Sequence, residues 1–122
     1  MYKIMLTDDA GFMRKMVQNH LSSVGYKNFV EASDGAQAVE VYQEEKPDLV
    51  LMDITMPNMS GLEALEAIRK IDPTAKVIMC SAMGQETMVM DAIRLGAMDF
   101  IVKPFKKEKI IETVSKIIPL WF

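Results

Sequence analysis

Short apolar runs alternate along the chain with longer stretches in which apolar residues recur at helical spacing. Five runs have the length of a β-strand, and five stretches have the apolar repeat that is typical of an amphipathic helix. The predicted strands are Lys3–Thr7, Phe29–Ala32, Leu49–Asp53, Lys76–Ser81 and Asp99–Val102. Strands that alternate with helices predict right-handed crossovers and a parallel sheet covered by helices on both faces. The pattern therefore predicts an α/β fold, a single doubly wound domain of five strand–helix units.

Residues that start and stop helices lie between the apolar runs. Asp34 with Gln37, and Ser60 with Glu63, have the spacing of a capping box, so each pair predicts a helix start. Glycine or proline follows every helical stretch, at Gly25, Pro47, Pro73, Gly96 and Pro119. We expect the first helix to carry Val24 and to stop at Gly25. We expect the fourth to begin near Gln85, with an apolar side made of Met88, Val89, Ala92 and Ile93.

Composition leaves the predicted fold unchanged, but it excludes several classes of protein. A chain of 122 residues predicts one domain. A net charge of −3 argues against a nucleic-acid-binding protein, which would need a basic patch. No apolar run approaches the roughly 20 residues that span a bilayer, so we expect no membrane insertion. The single cysteine, Cys80, excludes an internal disulfide and fits the reducing cytoplasm, which is the predicted location.

Charged residues stand where the predicted strands end. Asp8 and Asp9 follow the first strand, Asp53 ends the third, and Lys103 with Pro104 follows the fifth. The carboxyl ends of parallel strands meet at one edge of a sheet, so we expect three acids and one base to share that edge. Oxygen ligands favour a hard cation, Mg²⁺ or Mn²⁺. The arrangement predicts a divalent-metal and phosphoryl site.

Each of these residues also has a simpler interpretation. Asp8 or Asp9 alone could cap the first helix, and Lys103 could be a solvent-exposed lysine. Ser81, which ends the fourth strand, could donate its hydroxyl to a phosphoryl oxygen or merely stabilise a turn. Three acids at neighbouring strand ends favour the metal site, because such crowded carboxylates destabilise a fold that offers no cation.

Together these motifs resemble the receiver domain of two-component response regulators. The motifs are Asp8-Asp9, Asp53-Ile54-Thr55-Met56-Pro57, Ser81-Ala82 and Lys103-Pro104-Phe105, in that order and at the expected strand ends. The resemblance covers residues 1–122 and is strongest to stand-alone chemotaxis regulators of the CheY type. It implies a flavodoxin-like sheet with strand order 2-1-3-4-5, and a receiver domain without an output domain.

The resemblance also implies roles and partners. Asp53 would be the phosphoacceptor, and Mg²⁺ would be bound by Asp9, Asp53 and the backbone carbonyl of Thr55, with Asp8 acting through a metal-bound water. Lys103 would be the cation beside the phosphoryl group, and Met83 would also lie beside that group. Ser81 and Phe100 would be the two residues that change position on phosphorylation, called the switch pair below. The implied partners are a CheA-like sensor histidine kinase, a motor switch protein or an archaeal adaptor, and a phosphatase. The regulator would be a monomer and no enzyme beyond its own phosphorylation and dephosphorylation.

Other interpretations stay open at this stage. A flavodoxin-like redox carrier would need a glycine- and hydroxyl-rich phosphate loop, where this chain has Asp8-Asp9-Ala10-Gly11. An aspartyl phosphatase would usually carry its nucleophile after the first strand and add a cap domain, whereas this sequence places Asp53 after the third predicted strand and leaves no room for a cap. A receiver of a non-chemotaxis phosphorelay is the main alternative. Met88, Met90 and Met98 either pack in the core or contribute to a partner face, and the hydroxyl of Thr7 is expected to bond to backbone or water.

Overall fold

The computed structural model describes residues 1–82 and 85–120, so Met83, for which a role was predicted, lies outside the described residues. Strands and helices alternate from β1 to α5. Their bounds are β1 Lys3–Thr7, α1 Gly11–Ser22, β2 Asn28–Ala32, α2 Gly35–Glu45, β3 Leu49–Asp53, α3 Gly61–Ile71, β4 Val77–Ser81, α4 Glu86–Arg94, β5 Asp99–Val102 and α5 Lys107–Ile117. The predicted elements are therefore all present, with small differences at their ends.

The five strands form one parallel sheet in the order β2-β1-β3-β4-β5. This confirms the predicted α/β fold and strand order. Side chains of the central strands alternate between two cores. Met5 and Met52 pack with α2, α3 and α4 on one face, whereas Leu6 and Leu51 pack with α1 and α5 on the other. Both faces of β3 are buried, which explains why that strand is a continuous apolar run up to Asp53.

The two predicted capping boxes form to different extents. Ser60 and Glu63 make both reciprocal bonds, each 3.2 Å long, at the start of α3. Asp34 accepts the backbone N–H of Gln37 at 2.8 Å, but the Gln37 side chain accepts the N–H of Ser33 instead of that of Asp34. The predicted start of α2 is thus correct, but the Gln37 side chain bonds to the residue before the one that a capping box requires.

The expected end of the first helix was wrong, whereas the fourth helix begins next to Gln85 as expected. The first helix ends at Ser22 and does not reach Val24, because the N–H groups of Gly25 and Tyr26 turn back to the carbonyls of Ser22 and Leu21. On α4 only Val89 and Ala92 are buried, whereas Ile93 is 49% exposed. The sheet ends at β5, so it cannot cover the full apolar stripe of α4. Among the described residues, no helix has the length and apolar character that crossing a membrane requires.

Core packing is excluded for the three methionines that sequence reasoning left open. Met88, Met90 and Met98 are 42%, 54% and 53% exposed. Thr7 shows the opposite situation, because it is buried and its Oγ1 has no hydrogen-bond partner among the described residues. Of the two partners expected for Thr7, backbone or water, the backbone bond is therefore not made among the described residues.

Candidate metal and phosphoryl site

Three carboxylates come together at the carboxyl edge of the sheet. Asp8 and Asp9 follow β1, and Asp53 is the last residue of the neighbouring strand β3. One carboxylate oxygen from each of the three lies within 4.8 Å of the other two. Asp8 and Asp53 are buried, whereas Asp9 is exposed. The cluster thus has a buried floor and one ligand at the solvent side, an arrangement that a cation can reach.

Lys103 connects the two buried acids. Its Nζ donates to Oδ2 of Asp8 and to Oδ2 of Asp53, both at 3.0 Å. The ammonium also lies 5.8 Å from the ring centre of Phe105. The backbone N–H of Lys103 donates to the carbonyl of Ser81 at 2.7 Å, and the Lys103–Pro104 peptide bond is cis. The lysine is therefore fixed by both its backbone and its side chain, and the interpretation of a solvent-exposed lysine is wrong.

Burial affects the pKa values of both Asp53 and Lys103. Burial raises the pKa of Asp53 above its ordinary value, and the hydrogen bond and charge of Lys103 only partly offset that effect. Burial works to lower the pKa of Lys103, but its bonds to Asp53 and Asp8 outweigh burial and raise that pKa. Lys103 is therefore a cation at neutral pH. One cation faces two buried carboxylates, so the site retains negative charge that a divalent cation would offset.

The donor set fits a hard divalent cation. Three carboxylates supply oxygen ligands only, which is the preference of Mg²⁺ and Mn²⁺. The backbone of Thr55, two residues after Asp53, lies in the loop that leads from β3 towards α3. Cys80 is a poor competitor as ligand, because burial raises the pKa of its thiol far above its usual range. The alternative that Asp8 or Asp9 caps the first helix is wrong, because the N-cap of α1 is Ala10 and no side chain makes a capping bond there.

Tight backbone packing holds the loop after Asp53. The N–H of Gly61 donates to the carbonyl of Ile54 at 2.8 Å, and a Cβ atom at Gly61 would overlap the carbonyl oxygen of Asp53. Asn58 has a positive φ of 66°, and its side chain donates to Asp34 at 2.9 Å. Sequence reasoning did not identify these supports. Gly61, directly after the capping residue of α3, was a signal that could have been noticed.

Two further polar residues support the site without having been predicted. Arg14 donates one guanidinium N–H to the backbone carbonyl of Asp8 and another to Glu31 at 2.9 Å. Gln85 bonds to both Ala82 and Thr55, on the two loops beside Asp53. An arginine one helical turn after an acidic pair was the available signal for Arg14. No sequence signal pointed to Gln85.

The predicted switch residues lie on the β4–β5 side of the site. Ser81 is buried at the end of β4, whereas Phe100 of β5 is 37% exposed. Both line a surface depression of about 280 Å³ with apolar walls, which includes Val89, Met90 and Ile93 of α4. A path of apolar surface thus leads from Ser81 to the exposed aromatic ring.

Known proteins are similar to this chain in sequence and in fold. Residues 4–115 match the family model described as "Response regulator receiver domain". The chain is 54% identical to the chemotaxis protein CheY of Bacillus subtilis, with 94% of this chain and 96% of that protein covered. It is 51% identical, at the same coverage of both chains, to CheY of Thermotoga maritima. A solved CheX–CheY–beryllofluoride–magnesium complex from Borrelia burgdorferi matches with a TM-score of 0.90 and 36% identity, over 95% of this chain and 88% of that one. With its acidic cluster, its bridging lysine and these similarities, the chain belongs to the response regulator receiver domain family.

Proposed function

We propose that this chain is a single-domain response regulator of chemotaxis that accepts a phosphoryl group on Asp53 from a CheA-like sensor histidine kinase. Receiver domains are phosphoacceptor signalling domains that bind Mg²⁺ at an acidic pocket. The observation that carries the proposal is the contact of Lys103 Nζ with Asp53 at 3.0 Å inside a group of three carboxylates. The level of identity to CheY proteins favours chemotaxis over another phosphorelay.

Mg²⁺ would be held directly by Asp9, Asp53 and the backbone carbonyl of Thr55, with Asp8 acting through a metal-bound water. Mn²⁺ would suit the same oxygen donors. When bound, the cation supplies positive charge to the carboxylates and to the phosphoryl oxygens. The chain's own residues divide the remaining work. The carboxylate of Asp8 accepts the backbone N–H of Ala10 at 2.9 Å and the ammonium of Lys103, so it is held in place. Asp9 is exposed and lies at the solvent side of the cluster.

Asp53 acts as a carboxylate nucleophile. One of its oxygens forms a bond to phosphorus while the phosphorus–nitrogen bond of the phosphohistidine breaks, and the electron pair leaves with the imidazole. Lys103 is already within hydrogen-bond distance of Asp53, so its ammonium balances charge on the transferred group without a large movement. The product is an acyl phosphate. Water attacks its phosphorus, releases inorganic phosphate and restores the Asp53 carboxylate.

Phosphorylation of Asp53 shifts the equilibrium between two conformations of the domain. A phosphoryl group on Asp53 attracts the hydroxyl of Ser81, and Phe100 turns into the depression that both residues line. That movement reshapes the face made by α4, β5 and α5, where Met88 and Met90 are exposed. The proposed targets are a motor switch protein or an archaeal adaptor, and a phosphatase is a further candidate partner.

Labelling with acetyl phosphate and Mg²⁺ tests this function. Intact-mass spectrometry is expected to show one added phosphoryl group on the wild type and none on Asp53→Asn. Asp91→Asn, on the surface of α4, is the control and should label like the wild type. Labelling of Asp53→Asn at unchanged yield would contradict the phosphoacceptor assignment.

The Lys103→Ala variant tests phosphorylation and target binding separately. We expect this variant to accept the phosphoryl group but to lose the increase in target binding that beryllofluoride causes in the wild type. A pull-down with and without beryllofluoride measures that increase. Normal target binding by Lys103→Ala would contradict the switch mechanism.

A further inference from the structure

The carboxamide of Gln85 joins the two loops that flank Asp53. Its Oε1 accepts the backbone N–H of Ala82 at 2.6 Å, and its Nε2 donates to Oγ1 of Thr55 at 2.8 Å. Ala82 directly follows β4, and Thr55 lies two residues after the end of β3. Gln85 precedes α4, yet its side chain makes no capping bond to that helix. Its contact with α4 is a longer one, from Nε2 to Sδ of Met88 at 3.8 Å, so the short bonds of the carboxamide go to the two loops.

The chemistry of the side chain suits this bridge. A carboxamide offers an acceptor and donors at once, so it can bind an N–H on one loop and a hydroxyl on the other. The strands that carry these loops are neighbours, with Asp53 in register with Cys80. The N–H of Ala82 is the first backbone donor beyond buried Ser81. Because β3 and β4 are paired neighbours, the Ala82 N–H comes at the same edge of the sheet as Asp53, where an anionic oxygen would be a strong partner for it, but here Gln85 occupies that N–H.

We propose that Gln85 is a positioning residue whose carboxamide holds Ala82 and Thr55 in the unphosphorylated arrangement, and that it competes with a phosphoryl group on Asp53 for the N–H of Ala82. The proposal rests on the proposed function. Phosphorylation exchanges one acceptor of that N–H for another, so the Gln85 bond opposes phosphorylation. Loss of the carboxamide frees the N–H before the phosphoryl group arrives.

Beryllofluoride binding in the presence of Mg²⁺, followed by fluorine NMR titration, measures this competition. Gln85→Ala should bind beryllofluoride about fivefold more tightly than the wild type, which is the value of one ordinary hydrogen bond. Gln85→Glu should bind more weakly, because a carboxylate holds the Ala82 N–H more firmly and repels the anion. Thr87→Ala, an exposed change in the first turn of α4, is the matched control and should leave the affinity unchanged.

The results distinguish this proposal from the assignment of Asp53. Beryllofluoride binding that Asp53→Asn leaves intact would overturn the phosphoacceptor assignment. If Asp53→Asn abolishes binding while Gln85→Ala binds equally or more weakly than the wild type, the assignment stands and the competition by Gln85 is overturned. A purely structural role for Gln85 predicts weaker binding for both the Ala and the Glu variant, whereas competition predicts opposite directions.

Discussion

Gly61 packs against the carbonyl group of Asp53 so closely that the first residue of α3 and the last residue of β3 are in backbone contact. No side chain fits between them. The N–H of Gly61 also bonds to the carbonyl of Ile54 at 2.8 Å. The start of α3 and the predicted phosphoacceptor are therefore coupled through backbone atoms, and a change at Gly61 must move Asp53 or the helix.

Gly61→Ala should destabilise the protein by about 2 kcal/mol or more, because the new Cβ overlaps backbone that cannot move away cheaply. It should also slow labelling by acetyl phosphate. Gly11→Ala is the control, since a Cβ there meets only Arg14 at an ordinary 3.5 Å. Urea denaturation checks the prediction, and equal midpoints for the two variants would contradict it.

Asp53→Asn should stabilise the protein at neutral pH in the absence of Mg²⁺. Burial raises the pKa of Asp53, so its ionised form is disfavoured in the folded state. Lys103 keeps Asp8 as its partner in the variant, so no buried cation is left unpaired. Thermal unfolding of both proteins in a metal-free buffer measures the difference.

The pH dependence of that difference follows from the direction of the shift. A carboxyl group with a raised folded-state pKa costs no stability below its unfolded value of 3.8 and costs most once the pH exceeds the folded value. The advantage of Asp53→Asn should therefore be small in acid and grow towards neutrality. Mg²⁺ should reverse it, because the cation stabilises the wild type more. An advantage that is largest in acid would disprove this account of Asp53.

Thr7→Val should raise the free energy of unfolding by about 1 kcal/mol. The Oγ1 of Thr7 is buried without a hydrogen-bond partner among the described residues, and valine removes that unpaired hydroxyl at similar shape. Thr113→Val is the matched control: it is equally buried, but its hydroxyl donates to the carbonyl of Lys109 at 2.8 Å. That control should lose stability, and a loss in both variants would contradict the interpretation of Thr7.

Tyr42→Phe should cost about 1 kcal/mol at neutral pH, because the Tyr42 hydroxyl donates to Asp72 at 2.7 Å from a buried position. Burial, then the bond to Asp72, raises the pKa of Tyr42 above its ordinary 10.0. A tyrosine with a raised folded-state pKa loses its stabilising contribution as the pH rises above the unfolded value. The gap between wild type and variant should therefore narrow above pH 10.0, and unfolding curves across that range check it. A constant gap would count against the bond.

The fold was predictable from the sequence because its signals are local. Apolar runs such as Leu49–Asp53 and capping pairs such as Ser60 with Glu63 depend on neighbours in the chain, and they lie where they were expected. Helix ends were less reliable. Val24 continues the apolar repeat of α1, but the turn at Gly25 ends the helix earlier.

The site residues at the strand ends were predictable from the sequence, but the residues that hold the surrounding loops in place were not. Parallel topology alone brings Asp8, Asp53 and Lys103 to one edge. The bond from Gln85 to Thr55 joins residues 30 positions apart, and the bond from Asn58 to Asp34 joins residues 24 apart. Such contacts depend on how loops meet in three dimensions, which no local pattern in the sequence encodes.

The central claim is that Asp53 receives the phosphoryl group. Borohydride reduction after labelling with acetyl phosphate and Mg²⁺ tests it most directly, because an aspartyl phosphate is reduced to homoserine while a free carboxylate is not. Peptide mass spectrometry of the reduced protein should find homoserine at position 53 and at no other acid of the cluster. Homoserine at position 8 or 9, with position 53 unchanged, would contradict the account.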